Sequence, residues 1–190
     1  MSLEVLRTTI YVTLGSLIFS LILSIPLAMI KITKNKILNF IGFLYTDIFR
    51  ALPSLVQIYL VYFAAPQLFG ITFTAMTSAF ITLSMNAAAY ISEALRGGIL
   101  SVDIGQREAA KALGISQVDT LKDIVLPQAL KAVFPSMINE TIGLLKGTSL
   151  VSIIGVVDLM RASRQVMADS YLSFEPLMVA AVIYYILVKS

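Results

Sequence analysis

The 190-residue chain contains no cysteine and no histidine. The first absence removes disulfides. The two together remove Cys/His zinc sites, histidine general bases and serine–histidine triads. A metalloprotease built on His-Glu-x-x-His is excluded outright. A Gly-rich phosphate loop of the GxxxxGK[ST] type is also missing, so the chain is not expected to hold ATP through one. Without a Gly-x-Gly-Asp carboxylate motif, an intramembrane enzyme has no visible machinery. Charge is scarce: 13% of residues are charged, against about a quarter in soluble domains. The first apolar segment runs to about Ile30 with no Ala-x-Ala site after it, too long for the core of a cleavable signal peptide.

What is present is apolar. Hydrophobic residues make up 58% of the chain, and the mean hydropathy is +0.89. This composition predicts an all-α, polytopic membrane protein. The net charge of +3 then reports topology before it reports nucleic acid.

Hydropathy predicts one domain, 1–190, with five spans at about 9–30, 37–63, 73–95, 132–157 and 174–188. The last is short, so the chain is expected either to be cut there or to end early at Lys189. Lys31, Lys34 and Lys36 follow the first span, which puts that loop in the cytoplasm and the N-terminus outside. Segment 97–130 contains Arg107, Lys111 and Lys122, has no apolar run long enough to span, and falls on the same side. Pro26 is expected to bend the first span and Pro53 to kink the second. The segment 66–70 reads as a short external turn, and 158–175 as an external segment with a short amphipathic helix around Leu159, Ala162, Val166 and Met167.

Polar residues recur at helical spacing inside the apolar segments. Thr9, Thr13, Ser16, Ser20 and Ser24 place small hydroxyls on one face, where they favour close helix packing. Asp47, Arg50, Ser54 and Gln57 share a face of the second span. Thr82, Asn86, Tyr90, Glu93 and Gly97 share a face of the third, and Ser136, Asn139, Gly143, Lys146 and Leu150 one of the fourth. Charges near a bilayer centre cost about 2.5–3.5 kcal/mol on insertion scales, so Arg50 and Lys146 must face protein or water. These stripes fit either structural networks or a solute pathway, and an Asp47–Arg50 pair that neutralises itself is the structural alternative for Arg50. As pathway candidates they supply Asp47, Arg50, Gln57, Asn86, Tyr90, Glu93 and Lys146, with Thr148 and Ser149 beside it and Asp158 at the outer end.

Segment 97–130 carries its own pattern. A helix starting at Asp103 or Gly105 holds Glu108, Ala109, Ala110 and Leu113. Gly114 suits a left-handed cap, where a Cβ would be penalised. Ser116-Gln-Val-Asp119 resembles a capping box that opens a second helix, with Val118, Leu121 and Val125 on one face. Pro127 is expected to end or bend it. Ala109 and Ala110 would make a flat face able to enter a groove on a partner, with Glu108 at its edge.

The spacing Glu108-Ala-Ala110-x3-Gly114-x9-Ile124-x-Leu126-Pro127 resembles the signature of ATP-binding-cassette importer permeases. Phe49-Arg-Ala-Leu-Pro53, Asn86-Ala-Ala-Ala-Tyr90-Ile-Ser-Glu93-Ala-Leu-Arg96-Gly-Gly, Gly105-Gln106 and Leu145-Lys-Gly-Thr-Ser-Leu150 resemble the polar amino acid permeases within it. The resemblance covers nearly the whole chain and departs at Gly147, where the family more often has an acidic residue or Asn, and at the C-terminus, which reads as short for the family. It implies a permease subunit of a binding-protein-dependent type I importer in a bacterial plasma (inner) membrane. It also implies a second permease copy or paralogue, two ATPase subunits that carry ATP and magnesium, and an extracytoplasmic solute-binding protein that delivers a polar amino acid. Gly105, Glu108, Ala109, Ala110, Leu113, Gly114, Ile124, Leu126 and Pro127 would then couple the ATPase to the spans. No cofactor in this chain and no nucleic acid partner is implied; membrane lipid is. The competing function is an ATP-independent channel or secondary transporter, which accounts for Arg50, Asn86 and Lys146 but not for the polar hairpin.

Overall fold

The computed structural model describes residues 3–189, and all regular structure among them is helical. Helix α1 (Leu3–Ile32) is 30 residues long and runs on through Pro26. At 1.5 Å per residue it is about 45 Å long, enough to cross the roughly 30 Å hydrocarbon core at a tilt. Its buried face is Val5, Thr9, Val12, Thr13, Ser16, Ser20, Ser24, Ala28 and Lys31, the predicted hydroxyl stripe extended at both ends. Leu14, Ile18, Phe19, Ile22, Ile25 and Met29 point away from the protein. The helix is thus polar-small inside and large-apolar outside. The small residues let its backbone approach its neighbours closely, and the large apolar face suits lipid better than water.

Helix α2 (Lys36–Ala51) is capped by Asn35, whose side chain accepts from the amides of Ile37 and Leu38. It does not continue as a kinked span. It stops at Leu52–Pro53, and α3 (Ser54–Phe69) leaves it at 105°. The reason is local: Pro53 has no N–H for the Phe49 carbonyl, and a residue before proline disfavours the helical region. Leu52 is accordingly extended, at φ −86° and ψ 135°. Within α3, Leu60–Ala64 is a π-helical turn. The predicted external turn is instead the helical end of α3, closed by Gly70 at φ +66°.

Helix α4 (Ala75–Ser101) starts at the Thr74 cap and overruns the predicted inner boundary by a full turn and more, through Gly97 and Gly98. It is the central element, packed on α1 along its length and crossed by α2 and α6. A Cβ on Gly98 would collide with Val133 Cγ2 and stand 2.9 Å from the Ala129 carbonyl oxygen, so this glycine sets the approach of α4 to α6. Helix α5 (Ile104–Ala112) is separated from α4 by a bend, and α6 (Gln117–Ile154) follows after a tight turn. Pro127 neither ends nor breaks α6. A π-helical turn over Thr120–Val125 precedes it, with Leu126 N–H bonding to the Leu121 carbonyl, so the helix absorbs the missing donor and continues. Helix α7 (Leu159–Ser170) lies at 49° to α6, and α8 (Phe174–Lys189) packs against both.

Among the described residues α1 alone is a single helix long and apolar enough to cross a membrane, and α2 with α3 and α6 with α7 each pass the same test as a bent pair. The main core is made of Val12, Ala28, Ile58, Ala79, Leu83, Ala87, Ile91, Leu95, Val133, Leu144, Val151, Ile154 and Val156. It lies where α1, α4 and α6 meet.

Candidate functional site

Two of the predicted pathway residues close the break between α2 and α3. Gln57 is buried, and its Nε2 donates to the carbonyls of Phe49 and Leu52, both at 2.8 Å. Asn86 Nδ2 donates to the same Phe49 carbonyl at 3.2 Å and to Gln57 Oε1 at 3.1 Å. Side-chain amides from α3 and α4 thereby replace the N–H that Pro53 lacks. Orphaned backbone acceptors inside a bilayer must find such partners.

Glu93 belongs to an ion-paired knot at the far end of α4. Its Oε1 accepts from Lys31 Nζ at 2.7 Å, and its Oε2 accepts from Arg96 Nη2 at 2.9 Å. Lys31 Nζ also donates to Ser92 Oγ at 2.7 Å and to Thr46 Oγ1 at 2.9 Å. All three ammonium hydrogens therefore have acceptors, which a buried ammonium requires. Lys31 is only 3% exposed, so it is not a free loop charge like Lys34 and Lys36. The signal for this was in the sequence: the α1 stripe continues from Ser24 by steps of four and three to Ala28 and Lys31.

A third group of residues faces outward. Arg50 is exposed, with Cζ 5.4 Å from the centroid of the Tyr90 ring, and no Asp47–Arg50 ion pair forms among the described residues. A guanidinium over an aromatic face is held by the ring quadrupole. Tyr90 also lines a cavity of about 240 Å³ with Ile91 and Ala94 of α4 and Ser136, Asn139 and Glu140 of α6. Ser136, Asn139, Gly143 and Lys146 are all exposed along one face of α6, and Lys146 has no ion-pair partner among the described residues. Asp47 is exposed as well. The structure thus brings Arg50, Tyr90, Asn139 and Glu140 to one open surface, with Lys146 two turns along α6. Glu140 was not among the predicted site residues.

The remaining candidates are built into the protein. Thr148 is buried, its hydroxyl donating to the Leu145 carbonyl at 2.7 Å, and Ser149 donates to the Lys146 carbonyl at 2.7 Å. Asp158 is fully buried and caps α7, with Oδ1 accepting from Arg161 N at 3.0 Å and Oδ2 from Met160 N at 3.2 Å. Burial pushes its carboxyl above the usual range, against the pull of those two amides. The neighbouring Leu159 N–H donates to Thr9 Oγ1 at 3.1 Å, which ties α7 to α1.

The segment between α4 and α6 forms a rigid corner. Asp103 caps α5 by accepting from Gly105 N at 2.7 Å. At the other end Gly114 has φ +76°, Ile115 N–H reaches the Ala110 carbonyl at 3.0 Å, and Gly114 N–H reaches Lys111 at 3.1 Å. This is a Schellman closure, as the glycine predicts. Ser116 Oγ accepts from Asp119 N at 3.1 Å and donates to Asp119 Oδ2 at 2.6 Å, so the carboxylate binds the cap hydroxyl. Arg107, on α5, donates to the Ile99 carbonyl at 2.8 Å and fastens α5 to the last turn of α4. Ala110 is buried, because α5 packs on the π-helical turn, so the predicted Ala109–Ala110 face is not a single outward surface. Ile104, Glu108, Ala109 and Leu113 face outward, Leu113 at 78% exposure. Gly105 and Ile124 are half-buried, and Leu126 and Pro127 are exposed where α6 resumes.

Comparison with known proteins bears on this arrangement. The chain is 46% identical over 173 residues to a permease protein of Rickettsia bellii named for glutamine transport, GlnP, covering 91% of this chain and 79% of that one. It is 42% identical over 186 residues to the arginine transport system permease protein ArtQ of Bacillus subtilis, covering 98% and 85%. A solved amino acid ABC transporter crystallised with histidines superposes with a TM-score of 0.89 at 33% identity, over 95% of this chain and 84% of that one. The MetNI methionine ABC transporter in an inward-facing conformation shares the fold at a TM-score of 0.80 and 19% identity. Residues 16–189 match the family described as binding-protein-dependent transport system inner membrane components, and the chain belongs to that family.

Proposed function

We propose that this chain is the permease subunit of an ATP-driven importer and moves a polar amino acid by alternating access. In this reading it has five spans with the N-terminus outside, and α5 with its turn lies in the cytoplasm. Two ATPase subunits carry ATP and magnesium, a second permease completes the pathway, and an extracytoplasmic binding protein delivers the solute. The relatives named for glutamine and arginine transport support the amino acid class.

The observation that carries the reading is the corner at α5. Ile104, Glu108, Ala109 and Leu113 form an outward surface on a short helix that is locked at both ends. Arg107 ties it to α4, and the Ser116 turn joins it to α6. A displacement of α5 must therefore move the two helices that carry Tyr90 and Asn139. The solute would pass the surface made by Arg50, Tyr90, Asn139, Glu140 and Lys146, which a second permease subunit would enclose. Asp47 lies on the same exposed side, whereas Gln57, Asn86, Glu93, Thr148 and Asp158 hold the shape around it.

The test is the Gly114 turn. A β-branched residue at positive φ is a steric outlier, while Asn tolerates it. In proteoliposomes containing the assembled transporter, Gly114→Val is expected to abolish solute-stimulated ATPase activity and uptake while leaving the subunit in the membrane. Gly114→Asn is expected to retain most of both. Full stimulation in Gly114→Val would remove α5 from the coupling role.

A further inference from the structure

A cavity of about 450 Å³ lies between α5, the turn that follows it, the start of α6 and the α1–α2 turn. Its lining combines two chemistries. Lys34 from the α1–α2 turn and Arg107 and Lys111 from α5 supply three cationic groups. Ile32, Ile115, Leu121 and Val125 supply an apolar wall, with Gln117 and Thr120 between. Among the described residues no carboxylate lines it. Lys34 and Lys111 make no ion pair among the described residues, although Glu108 stands three residues from Lys111 on the same helix. Arg107 gives one Nη2 hydrogen bond to the Ile99 carbonyl, and a guanidinium has four further N–H donors.

Like charges gathered without counter-charge repel one another unless an anion completes the site. The apolar wall argues about which anion. A free phosphate would use the cations and leave Ile32, Ile115, Leu121 and Val125 uncovered. An amphiphile with an anionic head uses both. Position agrees: Ile32 is the last residue of α1, so the cavity opens at the level where that apolar helix ends. Basic pockets at the cytoplasmic end of spanning helices suit phospholipid head groups. We propose that this cavity binds the phosphate head group of an anionic phospholipid, with Lys34, Arg107 and Lys111 on the phosphate and the start of an acyl chain against Ile115 and Leu121. The bound lipid would brace α5 against α1, which touch through no ion pair among the described residues. The site rests on the cytoplasmic placement of α5 proposed above.

Native mass spectrometry of the assembled transporter, released from mixed phosphatidylglycerol and phosphatidylcholine vesicles, tests this directly. Wild type is expected to retain phosphatidylglycerol at activation that strips phosphatidylcholine. Lys34→Glu/Lys111→Glu is expected to retain roughly tenfold less, with unchanged size-exclusion elution and phosphatidylcholine retention. Equal phosphatidylglycerol retention in both proteins would overturn the site. So would binding of inorganic phosphate alone, displaced by neither lipid, because it would make the apolar wall irrelevant. The lipid readout needs no transport. A complex that holds lipid as expected but shows no ATPase stimulation would count against the importer reading and leave the lipid site standing.

Discussion

At the scale of single residues, the Lys31–Glu93–Arg96 knot shows how a polar stripe is converted into structure. Among the described residues Lys31 has one carboxylate partner, whereas Glu93 has two cationic ones. Removing one partner of a buried pair strands the other charge, at a cost of about 3–5 kcal/mol. Glu93→Ala strands the buried Lys31 and should fall in that range. Lys31→Met should cost clearly less, because Glu93 keeps Arg96 and is itself partly exposed. Thermal unfolding of both variants in detergent checks the order, and a larger loss in Lys31→Met would show that Arg96 does not hold Glu93. The sequence made the stripes legible, since period and side-chain type are local properties. It did not distinguish Gln57 and Asn86 as substitutes for the amide missing at Pro53 from lining residues. That distinction depends on which carbonyl lies opposite, 37 residues away for Asn86.

At the scale of elements, helix boundaries drifted from the predicted spans for identifiable reasons. Hydropathy reports where lipid ends, not where hydrogen bonding ends, so α4 and α6 continue past 95 and start before 132. The break at Pro53 was expected as a kink because proline alone does not fix an angle; the amides that accept a full separation come from other helices. Gly97 and Gly98 make the same point by contrast. A Cβ at Gly97 meets nothing within 4 Å, but one at Gly98 meets Val133 and the Ala129 carbonyl. Gly97→Ala is expected to be neutral or slightly stabilising, since alanine favours the helix by about 1 kcal/mol. Gly98→Ala must displace α6 backbone, and overpacking of this kind costs about 1–3 kcal/mol. Because α6 carries Asn139 and Lys146, the second variant should also reduce uptake in proteoliposomes. Equal stability of the two would mean that α4 and α6 do not approach as closely as described.

At the scale of the whole molecule, the surface divides into three materials. Large aliphatic and aromatic side chains cover the outer face of α1, the exposed side of α2 and much of α8. A polar patch runs from Arg50 and Tyr90 to Asn139 and Lys146, and a mixed patch covers α5. A charge exposed to lipid is costly, so the polar patch needs water or a partner permease against it. Because this chain has no cysteine, a thiol introduced into it has no competitor within the same subunit. Asn139→Cys and Phe19→Cys, each the sole thiol in its protein, can be exposed to a water-soluble maleimide in the assembled, membrane-embedded transporter. Asn139→Cys should label, because a thiol reacts as thiolate and needs water at the site, whereas Phe19→Cys on the lipid face should not. If the polar patch lines an alternating pathway, labelling at Asn139→Cys from the cytoplasmic side should be fast without nucleotide and slow when vanadate, in place of the released phosphate, traps ADP on the partner. The same rate in both states would mean that access does not alternate at this surface. The pathway would then have to run elsewhere, or stay open as it would in a channel.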